Sequence, residues 1–331
     1  MKKVYFSGYY GKKSFGDDLF IYSLVDYFHD DFDIKFLSTP IPDLDSKYFL
    51  FKKNSNLKNL LNFFKILFFT NYDFIVFAGG STYKTKKQFS KRFLIDCFVT
   101  RKKIIFGAGI GPFDSKKDQY YFNELFNQYD LIFVRDNASL SISSANKFEQ
   151  GTDIAHNYIA KNFYNITARR ENYIGVSFST SNYAEEEDFY NHILENICIS
   201  SAYYLFILNV AESLRDEYWI QKLAVTLSKE NVNYKIFSID EISANNILAR
   251  MNECSKMYTS RLHAAISAYS MKIPQTCQPY AQKTLSFLKD IGFEGSDNEN
   301  IIHTKDFRHY DELHGDCSLM YSRLKEHLNE N

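Results

Sequence analysis

An excess of charge of one sign is missing from this 331-residue chain: 39 Lys and Arg stand against 40 Asp and Glu, a net charge of -1. No general field draws it to nucleic acid or anionic lipid, so a nucleic-acid binder is disfavoured. Cysteine is scarce and scattered. Cys97, Cys198, Cys254, Cys277 and Cys317 are odd in number and never form a C-x-x-C pair, which argues against a disulfide framework or a zinc site and for a reducing compartment. No metal site emerges elsewhere, since there is no H-E-x-x-H and the remaining histidines show no ligand spacing. Proline (5) and glycine (13) are few, and with 45% hydrophobic and 24% charged residues the chain is neither disordered nor collagen-like. A long apolar run is absent too. The greasiest stretch, Leu57 to Phe69, is broken by Lys58, Asn59, Asn62 and Lys65 and falls short of the ~20 residues that span a bilayer. The start, MKKVYFSGYYGKK, lacks the apolar core of an export signal. A cytoplasmic location is expected, with contact at the inner face of the membrane peripheral at most. The 57–69 stretch is expected as a core helix against the next strand; an interfacial role would expose Leu60, Phe64 and Phe68. Tryptophan occurs once, while 25 Tyr and 31 Phe are read mainly as core fillers.

What is present is a recurring unit: a short apolar run, a polar or glycine-bearing turn, then helical periodicity, the pattern of βα repeats around a parallel sheet. Strands are predicted at 3–6, 33–37, 74–77, 103–106 and 131–134, with helices near 17–29, 57–69, 86–99, 118–128 and 136–144. The series restarts with strands at 173–178, 203–208, 234–239 and 256–259 and helices near 185–200, 212–230, 244–252, 261–271 and 281–291. The fold class is therefore α/β, with two Rossmann-like doubly wound domains, residues 1–165 and 166–331, joined around Ala160 to Glu171. A last helix near 316–329 is able to pack back on the first domain.

Eight of the thirteen glycines fall in three clusters, each expected directly after a predicted strand: Gly8, Gly11 and Gly16; Gly79 and Gly80; Gly107, Gly109 and Gly111. Loops at the carboxyl ends of parallel strands are where open α/β sheets bind ligands, and glycine lets backbone amides approach an anion or sugar. Tight turns without a ligand are the plain alternative for any one cluster. Two known phosphate motifs fail here. Gly107-Ala-Gly109-Ile-Gly111 ends in Pro112 where G-x-G-x-x-G needs glycine, and Gly11-Lys12-Lys13-Ser14 has Phe6 where a P-loop needs its first glycine.

The second domain carries a basic and histidine constellation. Ser260-Arg261-Leu262-His263 opens an apolar helix, with Ser260 the expected N-cap, and so sets a bidentate anion binder and a proton carrier beside unsatisfied amides. An ion pair for Arg261 between domains and a core role for His263 are the alternative. Arg135 ends the strand at 131–134, and Lys283 opens a later helix, so three cations are able to converge. Asp17 and Asp18 either serve a hydroxylated substrate as ligand or base, or cap the first helix. The glycine loops and the Arg261 helix end are expected to face one cleft between the domains.

In the order Gly16-Asp17-Asp18, Asp73 to Gly80, Gly109-Ile110-Gly111-Pro112, Val134-Arg135-Asp136, Asp153-Ile154-Ala155, Arg261-Leu262-His263 and Pro274 to Lys283, the chain resembles the polysaccharide pyruvyl transferases. The resemblance implies a glycosyltransferase-B-like pair of domains and transfer of pyruvate from phosphoenolpyruvate, as donor substrate with no further cofactor, to two hydroxyls of a sugar. It implies that Arg135, Arg261 and His263 face the donor, assisted by the backbone near Leu262; Lys283, the third of the converging cations, is assigned to the donor side with them. The glycine loops, with Ser14, Gly16, Gly79, Gly80, Ser81, Gly109 and Gly111, would then face a glycan acceptor, lipid-linked or free, with Asp17 and His263 as catalytic groups. Ser14 stands where the family often has Asn, Ser81 where it often has a third glycine, and Ile154 where it usually has Pro, which leaves the acceptor sugar open. A nucleotide-sugar glycosyltransferase would share the fold, and a non-catalytic sugar-binding protein is the alternative outside enzymes; intact Arg135, Arg261 and His263 count against the latter.

Overall fold

The computed structural model describes residues 1–51, 72–80, 83, 102–142, 147–179, 183–210, 216–279, 281–292, 301–304 and 306–330. The helices expected at 57–69 and 86–99, with Leu60, Phe64 and Phe68, lie outside the described residues, as does Ser81. The chain forms two compact units: Met1–Gly11, Phe20–Ile154 and Gly315–Asn331 make the first, and Lys12–Leu19 with Ala155–His314 the second. The crossing falls at 154/155 rather than in the expected 160–171 stretch, and each unit takes in a segment distant in sequence.

In the first unit, β1 (Lys3–Ser7), β2 (Asp33–Phe36), β3 (Phe74–Ala78), β4 (Lys102–Ala108), β5 (Leu131–Val134) and β6 (Phe148–Gln150) form a wholly parallel sheet in the order β2-β1-β3-β4-β5-β6. All five residues of β3, Phe-Ile-Val-Phe-Ala, are buried, as a parallel strand covered on both faces requires. Among the described residues, α1 (Phe15–Phe28), α2 (Lys116–Phe126), α3 (Asn137–Ile142) and the end of the last helix accompany this sheet. The abundant aromatics fill its two faces. Phe6 stacks on Phe36 at 5.5 Å on one side, and Tyr5 on Tyr72 at 4.8 Å on the other.

The second unit holds α4 (His156–Phe163), β7 (Arg170–Ser177), α5 (Tyr183–Glu195), β8 (Ala202–Ile207), α6 (Asp216–Lys229), β9 (Tyr234–Ser238), α7 (Ala244–Asn252), β10 (Cys254–Thr259), α8 (Leu262–Ser270), β11 (Gln275–Cys277), α9 (Gln282–Asp290), β12 (Ile302–Thr304) and the start of α10 (Tyr310–Glu330). Its sheet runs β12-β11-β10-β7-β8-β9, parallel except for β12. The order reverses between β7 and β10, the kind of position where doubly wound sheets bind ligands. Helix α4 and strands β6, β11 and β12 were not foreseen. The strands have three residues each, too few for a periodicity, and α4 has no side-chain N-cap bond to announce it. No helix among the described residues is long and apolar enough to cross a membrane.

Residues 315–330 of α10 close the first unit. Leu324 and Leu328 are fully buried, and the Tyr321 hydroxyl donates to the carbonyl of Ile154 at 3.0 Å. Leu324→Ala is therefore expected to destabilise the protein by about 2–5 kcal/mol, the range for a truncated core leucine. A urea midpoint indistinguishable from that of the parent protein would contradict this placement.

Candidate functional site

The switch point of the second sheet is stitched by small polar residues. At the last rung Thr259 of β10 faces Ser177 of β7, and their hydroxyls lie 2.8 Å apart with both side chains fully buried. One residue further, the Ser260 hydroxyl accepts from the Ser179 amide at 2.6 Å and faces Glu186 Oε2 of α5 at 3.1 Å. Ser260 is thus not the cap of α8, as sequence suggested: its hydroxyl is already committed across the crevice. The cap position falls to Arg261, which makes no side-chain cap bond, while its own amide donates to Thr259 Oγ1 at 3.1 Å.

Arg261 forms a two-point fork. Its Nε donates to Asp216 Oδ2 at 2.6 Å, and its Nη2 pairs with Asp216 Oδ1. Asp216, the first residue of α6, is fully buried, and Arg261 keeps 14% of its side chain exposed. Arg261 is therefore ion-paired, but inside one unit and not between domains as the alternative reading had it. Burial raises the Asp216 carboxyl above its ordinary value, while Arg261 and the amides of Asn209 and Leu208 oppose that rise. Glu186 has less support. Burial, reinforced by the nearby Asp216 charge, pushes it up to about 8 against the hydrogen bond from Ser260, so at neutral pH it is mostly the neutral acid.

His263, half-buried in the first turn of α8, meets the first glycine loop. A Cβ on Gly16 would stand 1.8 Å from His263 Nδ1, so only a residue without a side chain lets that backbone lie against the imidazole. The loop is held there from both sides. Phe15 N donates to Leu208 O at 3.0 Å, Ser14 bridges to Asn209, and Lys13 pairs with Asp240. The Ser14 hydroxyl donates to Asp17 Oδ2 at 2.6 Å, and Asp17 and Asp18 both sit in the first turn of α1. Leu262 is buried, and Lys283 is the second residue of α9 in the same unit.

The second unit thus brings together Ser14, Gly16, Asp17, Arg261, Leu262 and His263. Lys283 shares that unit, while Arg135, Gly79, Gly80, Gly109 and Gly111 belong to the first. There Gly109 N donates to Gly80 O at 2.8 Å, which joins the second and third glycine loops, and Gly111 N donates to Tyr83 O at 3.0 Å. Gly79, at φ 72°, lies against the Phe20 ring. Gly107 belongs to β4 itself rather than to a loop after it. Arg135 is buried at the end of β5, 3.6 Å from carboxylate oxygens of both Asp136 and Asp153. Asp216, Glu186 and Asn209 were missed from sequence. Glu186 lies within three consecutive glutamates, which read as a solvated helix face.

Similarity to solved structures extends over the whole chain. Anabaena HepE, solved with UDP and glucose, superposes with a TM-score of 0.58 at 12% identity, covering 100% of both chains. The UDP-GlcNAc 2-epimerase from Methanocaldococcus jannaschii gives 0.59 at 15% identity, covering 98% of this chain and all of its own. Comparison with curated proteins gives no significant match. The fold is therefore a two-domain Rossmann-like one of the glycosyltransferase-B kind. Within that class the chain belongs to the polysaccharide pyruvyl transferase family, whose model matches residues 15–280, and it is a transferase.

Two outcomes follow from this geometry. Glu186 carries a proton at pH values where an unfolded glutamate, near 4.5, has lost it, so this group's contribution to stability falls as pH rises from about 4.5 to about 8. Glu186→Gln, which keeps the neutral shape, is expected to flatten that decline in a series of melting curves; an unchanged slope would contradict a protonated Glu186. Gly16→Ala must displace either the loop or the imidazole, and is expected to lower turnover by at least tenfold, a displacement of ~1 Å being able to cost 10²-fold. A fully active Gly16→Ala enzyme would show that the contact is unimportant to the reaction.

Proposed function

We propose that this protein transfers the pyruvyl group of phosphoenolpyruvate to two hydroxyls of one sugar in a surface polysaccharide or its precursor, forming a cyclic ketal and releasing phosphate. Family membership supports the reading. The observation that carries it is the presence of Arg261 and His263 within one turn of the helix that leaves β10 at the switch point. Phosphoenolpyruvate offers a phosphate and a carboxylate, which suit a guanidinium and the amides that open α8. His263, as imidazolium, gives a proton to the donor methylene carbon while one sugar hydroxyl adds to C2. The second hydroxyl then forms its bond to C2 as the C2–O bond to phosphate breaks and its electrons leave with the phosphate. One hydroxyl proton restores His263 and the other departs on the phosphate, so the exchange balances. Asp17, next in sequence to the glycine against the imidazole, is assigned to an acceptor hydroxyl as ligand or base.

Three measurements test this. Isothermal titration is expected to give binding of phosphoenolpyruvate in preference to UDP, CMP or GDP sugars; the reverse order would favour a nucleotide-sugar glycosyltransferase. Arg261→Lys should bind the donor poorly, because an ammonium does not reproduce the planar fork, and unchanged affinity would sink the donor assignment. His263→Gln should keep the fold and donor binding yet lose roughly 10²–10⁴-fold in turnover. A fall in melting temperature with activity preserved would instead mark a structural histidine.

A further inference from the structure

Arginine has five N–H donors in one plane, and which of them meets a ligand depends on what grips the rest. In Arg261 the Nε and Nη2 edge is gripped by Asp216, which fixes the plane of the guanidinium. Asp216 is itself fixed. It opens α6, is wholly buried, and accepts from the backbone amides of Leu208 and Asn209 just beyond β8. The same two residues receive the first loop, through Phe15 N on Leu208 O and the Ser14 bridge to Asn209. One dipeptide therefore sets both the carboxylate that orients Arg261 and the loop whose Gly16 lies against His263.

We propose that Asp216 is the positioning residue for donor binding: anchored on Leu208 and Asn209, it holds the Arg261 guanidinium in the orientation that receives the donor anion, without itself touching donor. This rests on the reading that Arg261 meets phosphoenolpyruvate. A bare arginine on a helix end samples many rotamers and loses that freedom on binding; one forked to a buried carboxylate has lost it already. Asp216 also offsets the cation's charge, so orientation rather than excess positive potential is what the site supplies.

The test compares Asp216→Asn, Arg261→Ala and the double variant. Asp216→Asn is expected to raise KM for phosphoenolpyruvate on the order of 10- to 100-fold, with a smaller change in kcat, as for a misplaced binding group. In an Arg261→Ala background the same substitution should add nothing to KM, because its effect runs through Arg261. Guanidinium chloride, at concentrations below those that unfold the protein, should restore part of the phosphoenolpyruvate binding lost in Arg261→Ala, and should fail to do so in Arg261→Ala/Asp216→Asn. The double variant leaves neither member of the buried pair as a lone charge, so the rescue comparison stands even where Asp216→Asn alone does not fold. An unchanged KM in folded Asp216→Asn, alongside lost donor affinity in Arg261→Ala, overturns the inference and leaves the donor reading intact. So does equal guanidinium rescue in both Arg261→Ala backgrounds. Unchanged donor binding in Arg261→Ala overturns the donor reading, and this inference with it.

Discussion

A carboxylate withdrawn from water must find compensation, and the Asp216 carboxylate finds it in Arg261 and in two backbone amides. Much of the second unit's working end follows from that one arrangement. The ion pair ties the helix end after β10 to the helix that follows β8, across the top of β7. Because the amides come from Leu208 and Asn209, the backbone there is fixed, and its outward carbonyl and bridge are left to receive residues 14 and 15. Behind the pair, Glu186 would add a second buried negative charge if ionised. The low-dielectric surroundings and the neighbouring Asp216 charge keep it protonated instead. A neutral acid, a carboxylate and a guanidinium thus share a small volume with no net charge, a far lower cost than two carboxylates would impose.

Most of the fold was legible because parallel strands buried on both faces are continuous apolar runs. Phe74 to Phe77 and Leu131 to Val134 announce themselves, and the structure differs from the reading there by a residue at most. β11 was illegible for the opposite reason. Its residues Gln275, Thr276 and Cys277 are buried, yet two of the three are polar, and their burial depends on neighbours that lie far off in sequence. Strand β12 pairs antiparallel at the sheet edge with only Ile302 fully buried, so no pattern of period two could form.

The site was legible where chemistry needs unusual residue types. Arg261 and His263 stood out because two such groups open an otherwise apolar helix, and Gly16 because glycine is scarce in this chain. The partners that orient them were not legible. Asp216 looks like an ordinary acidic residue in a first helical turn, favourable to the helix dipole and needing no other reason. Its role comes from the spatial adjacency of β8 and β7 and of β7 and β10, a relation that spans 45 residues between Asp216 and Arg261. Similarly, Ser260 was read as a cap because local sequence favours that role, whereas its hydroxyl serves residues more than seventy positions away.

Each unit is completed by a piece of chain remote from its body. The first receives residues 315–331, where Lys2 Nζ donates to the carbonyls of Leu328 and Asn329 at 2.9 and 2.7 Å, so β1 and the end of α10 are joined across nearly the full sequence. The second receives residues 12–19, which reach forward to strand ends made almost two hundred residues later. Contacts of such separation incur loop-closure entropy before they return any packing energy. The first unit therefore lacks the buried faces of Tyr321, Leu324 and Leu328 until the last helix has formed. The loop that brings Gly16 to His263 likewise has no support until the second sheet exists. The glycine loop docks on Leu208 and Asn209, just beyond a strand whose register is set against β7, so the juxtaposition of Gly16 and His263 is a property of the whole fold and not of either segment alone.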